Sequence, residues 1–264
     1  QVKKFKPLCL FISYSGNTEE TLSGISDAII NNFDWIVISS GGKLIDMAKN
    51  EGKEYIQIPN GLQPRAAFGY LTLAVSKIVD VVEGSNYVSQ LNDVSLYIDK
   101  LSDKGDESDI NKLSIDICES INKKTVIIYS GTDMSRVVSS RWKTQINENA
   151  KSKAFIGNLP EVHHNEILSW DADKDGSKKN YIVIFIRDQN EHPQIKKRFE
   201  LTKDLIGEKV NITEVNIANQ ESTLKTLLEL VLLGDLVSLN LAAKLAVNPN
   251  NICLLYTSDA ADEK

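Results

Sequence analysis

Ser13, Ser15 and Thr18 stand around Gly16 in the stretch SYSGNTEET, between the apolar run LCLFIS and a helix-forming segment. At a helix start the backbone N–H groups are unpaired and the dipole end is positive, so added hydroxyl donors suit a phosphate group. Gly16 would let the backbone come close to such a ligand. The same residues also fit plain capping, with Asn17 or Thr18 as the cap and Glu20 or Thr21 completing the first turn; the two roles are compatible. Arg65 follows Pro64 at the start of another predicted helix. Helix dipoles favour acids there, so an arginine points to a function other than helix stability. The run HHNE holds His163, His164 and Glu166. That composition suggests a metal, but adjacent histidines project in different directions and no further histidine or cysteine cluster completes a set, so no metal site is expected. His192, in DQNEHPQIKKR, is the side-chain type that gives and takes protons near neutrality. It also precedes Pro193, where it could merely start a helix.

The elements that must carry these residues alternate. LCLFIS, WIVIS and EYIQIP read as short buried parallel strands. Between them, Leu22, Ile25, Ala28, Ile29 and Phe33 make one apolar helix face. KLIDMAKNEG reads as a short helix with Gly52 in the stop position, and PRAAFGYLTLAVSKIVDVV as a long helix opening on a proline. The order predicts a parallel sheet flanked by helices. A polar stretch around LSDKGDESD reads as an exposed connection or a long helical linker. Then KTVIIYSG, YIVIFIRD and VNITEVNI read as strands, with SRVVSSRWKTQINENAK and PQIKKRFELTKDLIG as helices. The strand, Ser-Gly turn and helix recur about 115 residues apart, at Gly16 and Gly131. The chain therefore reads as two related α/β units: residues 1–98, a connection over 99–120, and residues 121–252.

Bulk composition narrows the class. The 264 residues carry a net charge of -6, which argues against nucleic acid as the partner, since phosphate-backbone binding needs a basic face. Cys9, Cys118 and Cys253 are scattered and odd in number, as expected of reduced thiols in a cytoplasmic protein. The apolar run TLLELVLLGDLVSLNLAAKLAV contains Glu229, Asp235 and Lys244, which are costly in lipid, so it reads as a buried helix and no membrane partner is expected.

SYSGNTEETL resembles the phosphate loop of sugar isomerase (SIS) domains. With IPNGLQPRAAFGY, RWKTQINENAK and HHNEI following in order, the chain resembles the bifunctional phosphoglucose/phosphomannose isomerases over Leu8 to Asn251. The resemblance implies two SIS-type, flavodoxin-like units. It implies interconversion of glucose 6-phosphate or mannose 6-phosphate with fructose 6-phosphate through an enediolate, with no metal or organic cofactor. It implies Glu166 as the proton-shuttling base, Arg65 as the enediolate stabiliser and His192 as the ring-opening group. That histidine is supplied in the family by the neighbouring subunit of a homodimer. Ser13, Ser15 and Thr18 would hold the phosphate. His164 matches a structural or supporting histidine and, with Pro64 and Asn250, would line the site. Ser39, by its place at the end of the second strand, fits either a residue lining the same cleft or a simple strand-to-helix turn.

The chain departs from the family at several points. His163 replaces the usual asparagine. Asn250 stands in place of a threonine linked to accepting mannose. Gln1 opens the chain on the charged run QVKKFK, which reads as a fragment start lacking an earlier strand and a Gly-Ser-rich loop. Cys253 to Glu263 reads as the translation of a transposon-end sequencing adapter, so residues 253–264 are expected to be non-native and the family's C-terminal lysine absent. Two other classes fit the phosphate loop. A sugar-phosphate-sensing regulatory module needs no base, and Glu166, Arg65 and a second unit argue against it. The isomerase half of glucosamine-6-phosphate synthase needs a glutaminase partner, and no N-terminal nucleophilic cysteine is visible.

Overall fold

The computed structural model describes residues 7–103, 105–172, 177–217 and 222–251. The expectations for QVKKFK and for residues 253–264 lie outside them. The chain divides into two compact units, residues 1–92 and 93–264. The connection expected over 99–120 therefore lies within the second unit.

In the first unit β1 (Leu8–Ile12), α1 (Glu19–Ile30), β2 (Asp34–Ser39), α2 (Gly42–Asn50) and β3 (Tyr55–Gln57) alternate. The three strands are parallel in the order β1-β2-β3. One face of this sheet packs on α1 and α2 through Ile25, Ala28, Leu44 and Ala48. Ile38 and Ile58 on the other face meet Ala74 and Ile78 of α3 (Phe68–Glu83). A single 3-10 turn, Pro64–Ala67, precedes α3, so the helix expected from Pro64 begins four residues later. α4 (Tyr87–Ser102) carries the division between the units.

The second unit begins with the rest of α4 and with α5 (Asp109–Ile121), which is a core helix rather than an exposed connection. It buries Ile110, Ile117, Cys118 and Ile121. Then follow β4 (Thr125–Ser130), α6 (Asp133–Ala150), β5 (Ala154–Asn158), the short α7 (Val162–Asn165) and α8 (Ser169–Ala172), β6 (Tyr181–Arg187), α9 (Pro193–Ile206), β7 (Asn211–Asn216) and α10 (Thr223–Lys244). All four strands are parallel in the order β5-β4-β6-β7. β5 was not expected from the sequence. Its burial alternates poorly, with Phe155 and Ile156 exposed at the sheet edge.

Central strands of such a sheet have two buried faces. Val126, Ile128, Ile182, Ile184 and Ile186 face α5, α6 and α10. Tyr129, Val183 and Phe185 face Leu159, Val162, Trp170 and α9. α10 is long and apolar enough to span a membrane by length and composition. Here it lies against α5 and α6. Asp235 of α10 accepts from α6: from Arg141 Nε at 3.1 Å and one of its terminal nitrogens at 2.6 Å, and from Gln145 at 2.7 Å.

Gly234 sets how closely α10 and α6 approach. A Cβ there would fall 2.2 Å from Nε1 of Trp142, whose indole is wholly buried and donates to the Leu230 carbonyl at 2.8 Å. Alanine favours a helix by about 1 kcal/mol over glycine. Overpacking costs about 1–3 kcal/mol, and the displaced indole would also lose its bond. G234A is therefore expected to lower unfolding stability by about 1–3 kcal/mol in urea titrations. A gain in stability would contradict this packing.

Candidate active site

β1 and β2 pair as far as Ile12 with Ile38, so the turns that follow them leave the sheet side by side. They interlock through backbone. Ser40 N–H donates to the Tyr14 carbonyl at 3.0 Å and Leu44 N–H to the Gly16 carbonyl at 3.0 Å. Gly16 has φ +72°, and a Cβ on it would fall 1.8 Å from the Gly41 carbonyl oxygen, so no other residue fits. Asn17 caps α2, accepting from Lys43 N–H at 3.1 Å, and leaves α1 alone. Thr18 makes no side-chain cap on α1 either. Its hydroxyl lies 2.7 Å from that of Ser13, which also accepts from Gly16 N–H at 3.2 Å. The Ser15 hydroxyl accepts from Asn17 N–H at 3.2 Å. The capping alternative is thus not the one realised at α1. The Ser13–Thr18 pair uses one of its two hydroxyl protons, and the other is available to a ligand.

Ser39 does not line an opening. It is wholly buried, and its hydroxyl serves the Gly41 carbonyl at 2.8 Å and the Tyr14 carbonyl at 3.3 Å. It pins the two turns together. Pro64 is exposed and Arg65 half-buried in the turn before α3. Beside them, Oε1 of Gln63 is buried with no hydrogen-bond partner.

The matching turn of the second unit, Ser130-Gly131-Thr132, is closed. Thr132 and Ser135 form a capping box on α6. Ser135 Oγ also accepts from Gly131 N–H at 3.1 Å. The Thr132 hydroxyl donates to the buried Asp188 carboxylate at the end of β6. The reversal of strand order between β4 and β6 is where parallel sheets open a crevice for ligands. Here the protein's own carboxylate stands at it and would repel a phosphate.

Glu166 follows α7 and is half-buried. It lines a cleft of about 270 Å³ with Tyr129, Ser169, Trp170, Lys178 and Tyr181. The Tyr129 hydroxyl donates to Glu166 Oε2 at 3.3 Å, and Trp170 Nε1 donates to the Tyr129 oxygen at 3.1 Å. Burial raises the Tyr129 pKa well above its ordinary value; the Trp170 bond offsets this in part and the charge of Glu166 adds to it. The phenol is therefore a neutral donor. Tyr129, Trp170 and Lys178 were not singled out from the sequence. The available signal was a tyrosine, with its polar tip, in the otherwise apolar run TVIIYS.

The HHNE residues do not converge. His163 Nδ1 accepts from Arg198 at 3.1 Å, and its Nε2 lies 2.7 Å from the Thr202 hydroxyl. Arginine can only donate, so the proton of the neutral ring is on Nε2 and points at Thr202. His164 is exposed. His192 caps α9, with Nδ1 accepting from Gln194 N–H at 3.1 Å. That bond places the proton of the neutral ring on Nε2 and leaves this atom on an exposed residue. The loop before it is held by the buried Arg187. The guanidinium takes both Glu191 oxygens at 2.7 Å, reaches Glu200 and Glu214 at 3.2 Å, and lies over the Phe199 ring. Asn250 is exposed in the turn after α10. Among the described residues no recorded bond joins Glu166, His192 and Asn250 to one another.

Two three-layer units, each built on a parallel sheet, one with an open hydroxyl turn and the other with a carboxylate cleft, define a SIS-type α/β protein. The chain matches, over residues 110–255, the family described as bacterial phospho-glucose isomerase C-terminal SIS domain. It is 34% identical over 245 residues to the bifunctional phosphoglucose/phosphomannose isomerase of Aquifex aeolicus, covering 92% of this chain and 72% of that one. It therefore belongs to the bifunctional phosphoglucose/phosphomannose isomerase family. A D-glucosamine-6-phosphate 4-epimerase of Sulfolobus acidocaldarius is also similar, at 30% identity over 95% of this chain and 74% of that one. Among solved structures, glucosamine-6-phosphate deaminase of Thermotoga maritima aligns with a TM-score of 0.63 at 16% identity, over 93% of this chain and 72% of that one. Tagatose-6-phosphate ketose/aldose isomerase of Escherichia coli aligns at 0.61 and 13%, over 94% and 72%. These two likenesses are of fold.

Burial lowers the pKa of His163 below its ordinary 6.5, and the charges of Arg198 and His164 add to this. Below pH 6.5 the unfolded chain takes up a proton that the folded ring resists. The stability His163 contributes is therefore complete above that pH and is lost as pH falls. H163Q is expected to flatten the fall in melting temperature below pH 6.5. An unchanged slope would show that His163 is not the group responsible.

Proposed function

We propose that this protein interconverts glucose 6-phosphate, and mannose 6-phosphate, with fructose 6-phosphate. The observation that carries the reading is the Glu166 carboxylate. It sits in a cleft against a neutral donor, with no ion pair recorded among the described residues, so it is free to take a proton. In the proposed reaction His192 first moves a proton between the ring oxygen and the C1 hydroxyl as the sugar opens. Glu166 then takes the C2 proton, the C–H electron pair forms the enediolate, the C2 hydroxyl proton passes to the C1 oxygen, and the carboxylic acid returns the carbon-bound proton to C1 as the C2 carbonyl forms. Arg65 offsets the charge on the enediolate oxygen. Ser13, Ser15 and Thr18, with the uncapped N–H groups of α1, hold the phosphate. The orphaned Gln63 oxygen beside Arg65 is suited to a sugar hydroxyl. Nothing in these steps calls for a metal or an organic cofactor. The setting we infer is a cytoplasmic homodimer. Glu166 bonds to Tyr129 and His192 to Gln194 N–H, so neither holds the other, which is compatible with His192 serving the partner's site.

The regulatory reading gains nothing from a base in a cleft. The epimerase relative raises a different question, which sugar 6-phosphate is the substrate, and assay answers it. With EDTA present, fructose 6-phosphate formation from both aldoses is expected, and E166Q should lower it about 10²–10⁴-fold. Turnover of glucose 6-phosphate alone would assign the difference to Asn250. Tight binding of the sugar phosphates without turnover would overturn the enzyme reading, and 4-epimerisation of glucosamine 6-phosphate in its place would reassign the activity.

Sharing of the site can be read by complementation. E166Q and H192Q homodimers are each expected to be nearly inactive. Dissociated and reassociated together, half of the dimers are mixed and each has one intact site, so roughly a quarter of the parental activity should return. No recovery would place Glu166 and His192 in the same chain's site or remove one of them from it.

A further inference from the structure

We propose that Tyr129, fixed by Trp170, is a positioning residue for the Glu166 carboxylate. The inference rests on the reading of Glu166 as the base and adds two residues to it. Tyr129 is 1% exposed on the central strand β4, and its ring has little freedom. It stacks on Phe185 at 6.3 Å between centroids. On the other side, a Cβ on Gly157 of β5 would fall 2.8 Å from the ring, so that glycine makes room for it. The hydroxyl is directed as well. An indole nitrogen can only donate, so Trp170 occupies a lone pair of the phenol oxygen and the phenol proton is left for Glu166 Oε2. Trp170 is itself braced edge-on against Tyr181, at 5.9 Å and 87°. A covered phenol stays protonated, so the donor is present across the working pH range.

The consequence is directional. Oε2 is engaged and Oε1 is left as the oxygen that exchanges a proton with substrate. The backbone at Glu166 is also stitched, with its carbonyl accepting from Ser169 N–H at 2.9 Å and from the Ser169 hydroxyl at 2.6 Å. The side chain itself is held at its tip, where the phenol restrains rotation of the carboxylate. At 3.3 Å this bond is longer than an ordinary O–H···O bond, so its removal is expected to have a modest effect. Lys178 and Tyr181 are the other titratable groups lining the cleft.

The test uses Y129F, which keeps the ring and removes only the hydroxyl, and W170F, which removes the directing N–H. For glucose 6-phosphate, Y129F is expected to lower kcat about 10-fold with KM little changed, the loss of roughly one charged hydrogen bond. The acid limb of its kcat/KM profile should move to higher pH, because a donor to the ionised carboxylate is gone. W170F should move both in the same direction by less. A lower melting temperature with kcat and the acid limb unchanged would make Tyr129 a packing residue and overturn the proposal. The ¹³C signal of the Glu166 carboxylate, assigned through E166Q, reads the contact without catalysis. It should shift at neutral pH in Y129F but not in Y70F, a change on an exposed residue of the first unit. If E166Q retains activity while Y129F moves the signal, the base assignment fails and the contact stands. If Y129F leaves the signal in place, the positioning role fails whatever E166Q does.

Discussion

β4 has no solvent face, and much of the second unit follows from that constraint. Strand geometry sends alternate side chains to opposite sides. Val126 and Ile128 therefore enter the core shared with α5, α6 and α10, and Tyr129 enters the core beneath α7, α8 and α9. Apolar side chains satisfy such a position without further demands. Tyrosine does not, because its buried hydroxyl needs partners. The partners are Trp170 and Glu166, both from the irregular segment between β5 and β6. A single polar tip on a central strand thereby fixes how a segment with little regular structure lies on the sheet. Glu166, the one half-buried carboxylate among the described residues of that segment, comes with it.

The two Ser-Gly turns show how similar local sequence reaches different ends. A helix start favours negative charge, wherever that charge comes from. In the second unit it comes from within: Thr132 and Ser135 cap each other, and Asp188 stands at the mouth. In the first unit the natural cap, Asn17, is drawn away to α2, and Thr18 turns to Ser13. Glu19 and Glu20 complement the α1 dipole from exposed positions in its first turn, but no side chain closes the turn. The difference lies in the neighbouring turn. Gly16 lies closer to the Gly41 carbonyl than any Cβ would permit, and Gly42 likewise to Ser15, and this contact brings Asn17 within reach of Lys43.

Much of the architecture was legible in the sequence because buried parallel strands are continuous apolar runs and their helices carry one apolar face. WIVIS, TVIIYS and YIVIFIR could hardly be anything else. β5 was missed for a physical reason: an edge strand is half exposed, and AFIGN carries neither a long apolar run nor a clean alternation. Over 109–121 a helix was one of the two readings, but its polar neighbours hid that it is buried, although Ile110, Ile117 and Ile121 follow a helical period. At the candidate site, residue types pointed to the hydroxyl turn and the motif pointed to Glu166, and the structure places the first beside α1 and the second in a cleft. The sequence could not show that Ser39 is spent on backbone carbonyls, or that Asn17 caps the neighbouring helix. Nor could it show that Tyr129 lies under Glu166. Each of these depends on contacts between residues distant along the chain, and single-strand periodicity carries no information about them.

The fold does not choose the reaction. Proteins named as a 4-epimerase, a deaminase and a ketose/aldose isomerase, each of a sugar 6-phosphate, are similar to this chain in sequence or in fold. A common grip on phosphate would serve any of them, since none of the reacting carbons bears the phosphate. What differs between such reactions is which carbon presents its proton, and to what. Proton transfer needs the base within hydrogen-bond reach of that proton, and an ångström of misplacement is costly. A carboxylate on a freely rotating side chain could serve several carbons poorly. One whose rotation is restrained by a fixed phenol presents a single oxygen in a single direction. In a scaffold shared by several chemistries, selectivity for one of them would then rest, on the proposed reading of Glu166, on the side chains that hold the base as well as on those that hold the sugar.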